Sequence, residues 1–283
     1  MITVRIKGGM GNQMFQYAAG KVLALRHNTS LALDLSSISK AGDVPRVFDM
    51  NYFQVHYEQG HPPPPRGFFR KVIDRVGPMA LRKVYKEPHF HFDPNFFKIG
   101  PDMYIDGYWQ SEKYFKHIEP LLREEFTIRD EFIQQVKDRA AIMRSENSVC
   151  IHVRRTDFLK KDVADYHGVL EADYYNKAME YMSARVPNIK VYFFADDMDW
   201  LKENLKVDYP YEMVTGVIAH KPIENFYLIS QCKHAIISNS TWCWWAAWLN
   251  DNPSKIVIAP KRWFANPTLN VKDIIPETWV SIP

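Results

Sequence analysis

Two textures of apolar and polar positions run along the chain. In the first, "ITVRI" (2–6) reads as a strand, followed by the glycine turn "KGGMG" and a helix from about Asn12 to His27. Met14, Tyr17, Ala18 and Val22 fall near helical spacing on it and face a core. "SLALDL" (30–35) is a second strand. From Ser36 to Gly67 no period holds, and "HPPPPRG" forbids helix and central strand alike, because proline supplies no backbone donor. An exposed loop inside the first half is expected there. Residues 67–86 carry a basic amphipathic pattern, open to two readings: a solvated helical face or a membrane-surface helix. "MYIDGYWQ" (103–110) predicts a strand and turn, and two helices follow between Ser111 and Met143.

The second texture begins at "SVCIHV". Strands are expected at 148–153, 190–195, 211–214, 234–238 and 255–259, and helices at 172–185, 197–204, 222–232 and 240–250. Regular strand–helix alternation with short connections implies a parallel sheet covered on both faces. Ligands of such sheets bind at the carboxyl ends of the strands. The change of texture places a boundary near residue 146, giving one α/β domain at 1–146 and a second at 147–283, whose C-terminal segment is free to pack back on the first.

Composition narrows this picture little. The 283 residues are 46% hydrophobic and 24% charged, ordinary for a soluble globular protein of two domains. A net charge of +3 with no tract of five basic residues argues against nucleic acid and is compatible with an anionic small ligand. The 14% of aromatics suit either bulky cores or a surface that stacks on sugars or bases. Cys150, Cys232 and Cys243 are odd in number, widely spaced and without a C-x-x-C, which points to a reducing compartment and away from zinc. Asn28-Thr29-Ser30 and Asn239-Ser240-Thr241 match the glycosylation pattern, without meaning in a cytosolic chain. The N-terminal apolar run is too short for a signal peptide, and no apolar stretch reaches the ~18 residues of a membrane span. A cytoplasmic chain, at most loosely associated with the inner face of the membrane, is expected.

Four constellations carry chemistry. The first is "SVCIHVRRTDF" (148–158), where His152, Arg154, Arg155 and Asp157 end a buried strand. Adjacent guanidiniums are tolerable there if a multiply charged anion lies beside them, with Asp157 clamping one; the alternative is a buried Arg–Asp bridge with the second arginine in water. The second is "ISNSTWCWWAAWL" (237–249), a strand running through Ser, Asn, Ser and Thr straight into a helix, the arrangement that either caps a helix or presents its open donors to a phosphate. Trp244, Trp245 and Trp248 behind it read as core. The third is "GGMGNQMFQYAAG" (8–20). It fails both nucleotide fingerprints, since Met14 stands where a glycine is needed and Val22 follows Gly20-Lys21. What remains is a tight turn that either approaches a ligand or merely caps a helix. The fourth is "FFADDMD" (193–199). Asp197 and Asp199 imitate an acidic metal motif, while Asp196 or Asp197 as a helix cap is preferred.

Taken together, "HVRRTDF", "FFADD", "SNSTWCWWAAWL" and "GGMGNQMFQYA" resemble the α1,2-fucosyltransferases of glycosyltransferase family 11 over most of the chain, and more broadly the GDP-fucose transferases that include protein O-fucosyltransferases. The resemblance implies an α/β, GT-B-like fold of two facing Rossmann-like domains with a central cleft. It implies inverting transfer of L-fucose from GDP-β-L-fucose, a co-substrate, to the 2-hydroxyl of a terminal galactose, with no metal or other cofactor. The acceptor would be a galactose-terminated oligosaccharide or lipid-linked glycan. By this match Arg154 steadies the departing diphosphate, Asp157 braces the arginine pair and Asn12 reaches the phosphate or fucose. His152, Arg155, Asn239, Ser240 and Thr241 bind the donor, and Glu224 or Asn225 approaches the guanine. Gly11, Gln13, Asp106, Trp109 and His167 complete the expected cleft or acceptor set.

The physics fits independently. Breaking a sugar–phosphate bond builds negative charge on the diphosphate, and a fixed guanidinium aimed at it stabilises the transition state more than the ground state. A general base would help the acceptor hydroxyl attack; Asp106, Asp162 and Asp165 are candidates, none favoured. Rival readings are another GDP-sugar transferase of the O-fucosyltransferase type, a metal-dependent transferase using "DDMD", and a non-catalytic carbohydrate- or nucleotide-binding module.

Overall fold

The computed structural model describes residues 1–38, 46–156, 161–205 and 208–283, with the backbone alone for 161–163. Asp157 lies outside these residues, as does the side chain of Asp162. The chain divides into two compact units, Met1–Thr127 with Asn270–Ile274, and Ile128–Leu269 with Ile275–Pro283. The division falls between Thr127 and Ile128, ahead of the change of texture at 146, and the stretch that rejoins the first unit is short. Asp273 anchors it there, accepting from Lys113 Nζ at 2.8 Å and from the Phe92 N–H at 3.0 Å.

The first unit is built on β1 (Ile2–Arg5), α1 (Met10–Arg26), β2 (Leu31–Asp34), β3 (Glu58–Gly60), α2 (Phe68–Val76), β4 (Val84–Lys86), β5 (Tyr104–Asp106) and α3 (Glu119–Glu125). Its five strands are all parallel in the order β3-β2-β1-β5-β4. α1 is covered almost completely, and Gly20 lets it sit on the sheet, since a Cβ there would lie 2.3 Å from Val4 and 2.7 Å from Leu31. The sequence expectation fails in three places. The region before Gly67 contains β3, and the helix expected over 67–86 stops at Val76, where Gly77-Pro78 removes both helix propensity and a donor, so that β4 follows. Between Ser111 and Val136 much of the chain forms single 3-10 turns rather than long helices.

The second unit contains α4 (Lys137–Ser145), β6 (Asn147–Val153), α5 (Lys161–His167), α6 (Ala172–Ser183), β7 (Ile189–Ala195), α7 (Met198–Asn204), β8 (Tyr211–Met213), α8 (Pro222–Gln231), β9 (His234–Ile236), α9 (Thr241–Leu249), β10 (Val257–Pro260) and β11 (Val280–Ile282). Six parallel strands run in the order β11-β10-β9-β6-β7-β8. The apolar residues of β6 and β7 pack with Tyr174, Tyr175, Ala178, Met179 and Met182 of α6 into one core. β11 was not expected from the sequence; three residues of a terminal edge strand leave no readable period. No helix among the described residues is long and apolar enough to cross a membrane.

In each sheet the strand order reverses once, between β6 and β9 in the second and between β1 and β5 in the first. Such switch points leave a crevice at the carboxyl ends of the two strands, where α/β sheets bind ligands.

Candidate functional site

At the switch point of the second sheet, β6 delivers His152, Arg154 and Arg155, and β9 delivers Ser238, Asn239 and Ser240. His152 is buried and its Nδ1 lies 2.9 Å from Ser238 Oγ, which ties the two strand ends together. Burial, helped by the neighbouring Arg154 charge, pushes its pKa down to about 3, so the ring stays neutral at working pH. A neutral imidazole cannot protonate a leaving group there; it can position one.

The adjacent arginines have separate fates, because successive residues leaving a strand point to opposite sides. Arg155 turns inward and is 8% exposed. Its guanidinium lies over the Trp200 ring at 4.0 Å and donates to the Leu170 carbonyl at 3.0 Å. Arg154 turns to the sheet edge, its side chain a third exposed. Its charge acts on both His152 and the Cys243 thiol, favouring the neutral ring of the one and the ionised form of the other. The acid that organises the pair is Asp196, which accepts from the Arg155 N–H at 2.8 Å and from Thr156 Oγ1 at 2.9 Å and stands 3.9 Å from Arg154 Nε. Asp197 caps α7 by accepting the Trp200 N–H at 3.0 Å, as the capping reading expected.

Across the switch point, α9 starts at Thr241 directly after Ser240, whose side chain makes no capping hydrogen bond among the described residues. Its first-turn N–H groups and helix dipole therefore favour an anion, at an edge that also carries Arg154. Trp242 in that first turn is partly exposed and lies 5.3 Å from the His152 ring. Asn239 is 3% exposed; its Nδ2 donates toward the carbonyls of His167 (2.8 Å), Trp263 (3.1 Å) and Gly168 (3.3 Å), and its buried Oδ1 has no hydrogen-bond partner among the described residues. It thus holds the end of α5 against the strand end.

At the switch point of the first sheet, β1 runs through Lys7, Gly8 and Gly9 into α1. Gly8 has φ +80° and a Cβ there would lie 2.6 Å from Asn12 Nδ2, so the turn requires glycine. Two buried amides lock it. Gln13 donates to the carbonyls of Gly8 and Val47 and accepts the Asp49 N–H, while Gln16 exchanges hydrogen bonds with both backbone groups of Lys7. Asn12, half-buried, accepts from Gln110 Nε2 at 2.8 Å. Asp106, at the end of β5, pairs with Lys7 Nζ at 2.7 Å and Arg5 Nη1 at 3.1 Å. Burial opposes its ionisation, but these two cations outweigh it and hold the carboxyl below its ordinary range.

A second acid stands beside it. Glu87, just past β4, accepts the N–H groups of Tyr108 at 2.6 Å and Trp109 at 2.9 Å. Gly107 leaves it the room, since a Cβ at 107 would lie 2.8 Å from Glu87 Oε2. Burial pushes its pKa up to about 7 in spite of those two donors and nearby Lys7. The rings of Phe90 and Tyr108, both half-buried, stack 6.0 Å apart next to it.

This is the equipment of a group transferase whose donor is anionic, and comparison with known proteins agrees: the sequence model of "Glycosyl transferase family 11" matches residues 81–283. The chain belongs to glycosyltransferase family 11. An α-1,2-colitosyltransferase of Escherichia coli is 31% identical over 100% of this chain and 99% of its own length. Galactoside α-(1,2)-fucosyltransferase 2 of Rattus norvegicus is 26% identical over 100% of this chain and 77% of its own. Among solved structures, the fucosyltransferase NodZ from Bradyrhizobium superposes with a TM-score of 0.51 at 16% identity, covering 89% of this chain and 96% of that one. This family 11 glycosyltransferase therefore has a GT-B-type fold of two Rossmann-like α/β units, as expected.

Within the family 11 framework, several residues singled out from the sequence sit at the edges where a ligand binds, and others do not. Arg154, His152, Ser240, Thr241 and Asn12 lie at strand ends or helix starts beside a switch point. Arg155 lies inside the unit, stacked on Trp200 and bonded to the Leu170 carbonyl. Glu224 and Asn225 are engaged within the start of α8. Glu224 is 2% exposed and accepts the N–H groups of His220 and Lys221, closing a capping box on α8, and Asn225 spends its amide on Thr215, Ala219 and Lys221. Trp109 is fully buried against Tyr85, Phe96 and Tyr114, so it is core and not an acceptor platform. Gln13 and Gly11 are buried in the turn they build. His167 packs its ring on Tyr166 and Phe264. Sequence reasoning missed Asp196 as the arginine brace, although "FFADD" contains it. It missed Glu87 because a helix assigned through residue 86 hid the strand whose end carries that acid.

Proposed function

We propose that the chain transfers L-fucose from GDP-β-L-fucose to the 2-hydroxyl of a terminal galactose, inverting the anomeric centre and using no metal. The observation that carries the reading is the placing, at one switch point, of a partly exposed Arg154 beside the N-terminal end of α9, which the Ser240 side chain does not cap. The diphosphate docks on the first-turn N–H groups of Thr241 and its neighbours. Arg154, steadied by Asp196, gains most when the anomeric C–O bond breaks and the diphosphate takes the electron pair. His152 stays neutral and orients the phosphate through the Ser238 contact. The galactoside binds at the first unit's strand ends, where Phe90 and Tyr108 offer ring faces to the sugar and Glu87 receives the proton of the attacking 2-hydroxyl. A carboxyl ionising near neutrality is matched to that task.

A second reading of the donor has its own support, the 31% identity to a colitosyltransferase. Colitose lacks the 3-hydroxyl that fucose carries, so the two readings differ by one donor hydroxyl. Purified protein with GDP-fucose or GDP-colitose, a panel of β-galactosides and EDTA, followed by linkage analysis, tests donor, regiochemistry, inversion and metal dependence together. A product linked α1,2 to galactose supports the assignment. Transfer to folded protein domains instead, or transfer abolished by EDTA, removes it.

A further inference from the structure

The helix α2 is built inside out. At about 100° per residue, Phe68, Val72, Val76 and Phe69 fall on one arc about 100° wide. That arc would ordinarily be the buried face, yet these residues are 76%, 41%, 71% and 83% exposed. The residue turned into the protein is the acid Asp74, which accepts the N–H groups of Lys83 and Val84 and pairs with Arg66 at 2.5 Å. Leu81, just beyond, is 57% exposed as well.

Cations border this apolar ridge. Lys71 and Arg75 lie on the flank of the arc and are exposed. From Arg66 to Lys86 there are seven Lys and Arg and a single acid, a segment charge of +6 in a chain whose total is +3. The only acid is the one turned inward, so the outward face carries positive charge alone. The proline run 62–65 leads into the helix and supplies no donors that would need covering.

A ridge of two phenylalanines and two valines edged by Lys and Arg matches a bilayer interface with anionic headgroups. The apolar arc enters the headgroup–acyl boundary while the long cationic side chains stay at the phosphates. A protein partner of matching shape would also need acidic residues placed against Lys71 and Arg75. A second copy of the same face would bring two +6 segments together, which charge repulsion opposes. We infer that α2 and the cationic segment around it form a docking surface for an anionic membrane, holding the enzyme peripherally at a lipid surface. The inference does not rest on the identity of the donor or acceptor.

Flotation of the full chain with phosphatidylethanolamine–phosphatidylglycerol vesicles, with phosphatidylcholine vesicles as the neutral control, tests it without any substrate. The wild type is expected to float with the anionic vesicles and to be released as salt rises. Phe68→Ser/Phe69→Ser is expected to lower partitioning by about 10²-fold through lost apolar burial, and Lys71→Glu/Arg75→Glu by a factor on the order of 25 or more. Both double variants are expected to keep the wild-type far-UV circular dichroism and a cooperative thermal transition, which shows that they fold. Absence of flotation, equal binding to neutral vesicles, or unchanged binding by the variants overturns the inference. So does concentration-dependent dimerisation of the wild type that the serine variant abolishes.

Discussion

At the switch point of the second sheet the outward charge is a guanidinium and the carboxylate stands behind it; at the switch point of the first the arrangement is reversed. Arg154 is braced by Asp196, whereas Lys7 and Arg5 are tied to Asp106 and the adjustable group is the acid Glu87. Two parallel sheets, each with one switch point but with different strand orders beyond it, thus present one edge whose outward charge is a cation and one whose adjustable group is an acid. The proposed contrast lies in what the last strand residues are bonded to. Fold likeness alone would not separate donor from acceptor chemistry.

The sharpest way to break the contrast is Arg154→Lys. The charge remains but the planar fork is lost, and kcat is expected to fall by about 10²–10³ with stability unchanged. Near-normal turnover in steady-state assays with GDP-fucose would remove Arg154 from the mechanism.

Next in size is Glu87→Gln, with a loss of about 10² in kcat/KM for want of a proton acceptor. The pH profile discriminates this from mere loosening of the turn. Glu87 ionises near pH 7, so the base form disappears as pH falls through that value and the wild type should show an acid limb there. The variant should be slow and flat across it; a slow variant that keeps the limb would make Glu87 a brace only. Stability carries the opposite sign. A carboxyl whose folded value is raised favours folding at low pH, and that contribution is lost as pH rises through about 7. Tm measured against pH should show this decline in the wild type and not in Glu87→Gln.

Arg155→Lys turns the comparison from rate to stability. Losing the stack on Trp200 and the bond to the Leu170 carbonyl should cost on the order of 2–4 kcal/mol in urea unfolding, with kcat little changed. A variant as stable as wild type but slow would mean that Arg155, and not Arg154, faces the diphosphate.

These two arginines also measure how far sequence carries. That both stand at a strand end, and on opposite sides of it, follows from residue spacing alone. Which side is open depends on Trp200 and Leu170, set by packing of α6 and α7 and invisible to a period. The parallel sheet of the second unit was legible because its strands are long apolar runs between clear helices. The first unit was less so: β3 and β4 are three residues each, and β4 lies in a stretch whose apolar and basic residues also fit a helix. The apolar residues of α2 signalled a helix correctly, but the same pattern could not say that its apolar face points outward. That is fixed by the burial of Asp74.

The smallest expected effect concerns the pair once assigned to the guanine. Glu224→Ala opens the capping box of α8, so the N–H groups of His220 and Lys221 lose their acceptor and stability should fall by about 1 kcal/mol. Lys221 is held 3.6 Å from the same carboxylate, a contact exposed on the lysine side and worth little by itself. Since the carboxylate is 2% exposed and already holds two backbone N–H groups, the donor KM should move by no more than about twofold. A rise of tenfold or more in donor KM, with unfolding free energy unchanged, would mean that the box opens on binding and that Glu224 exchanges its backbone donors for those of the nucleobase.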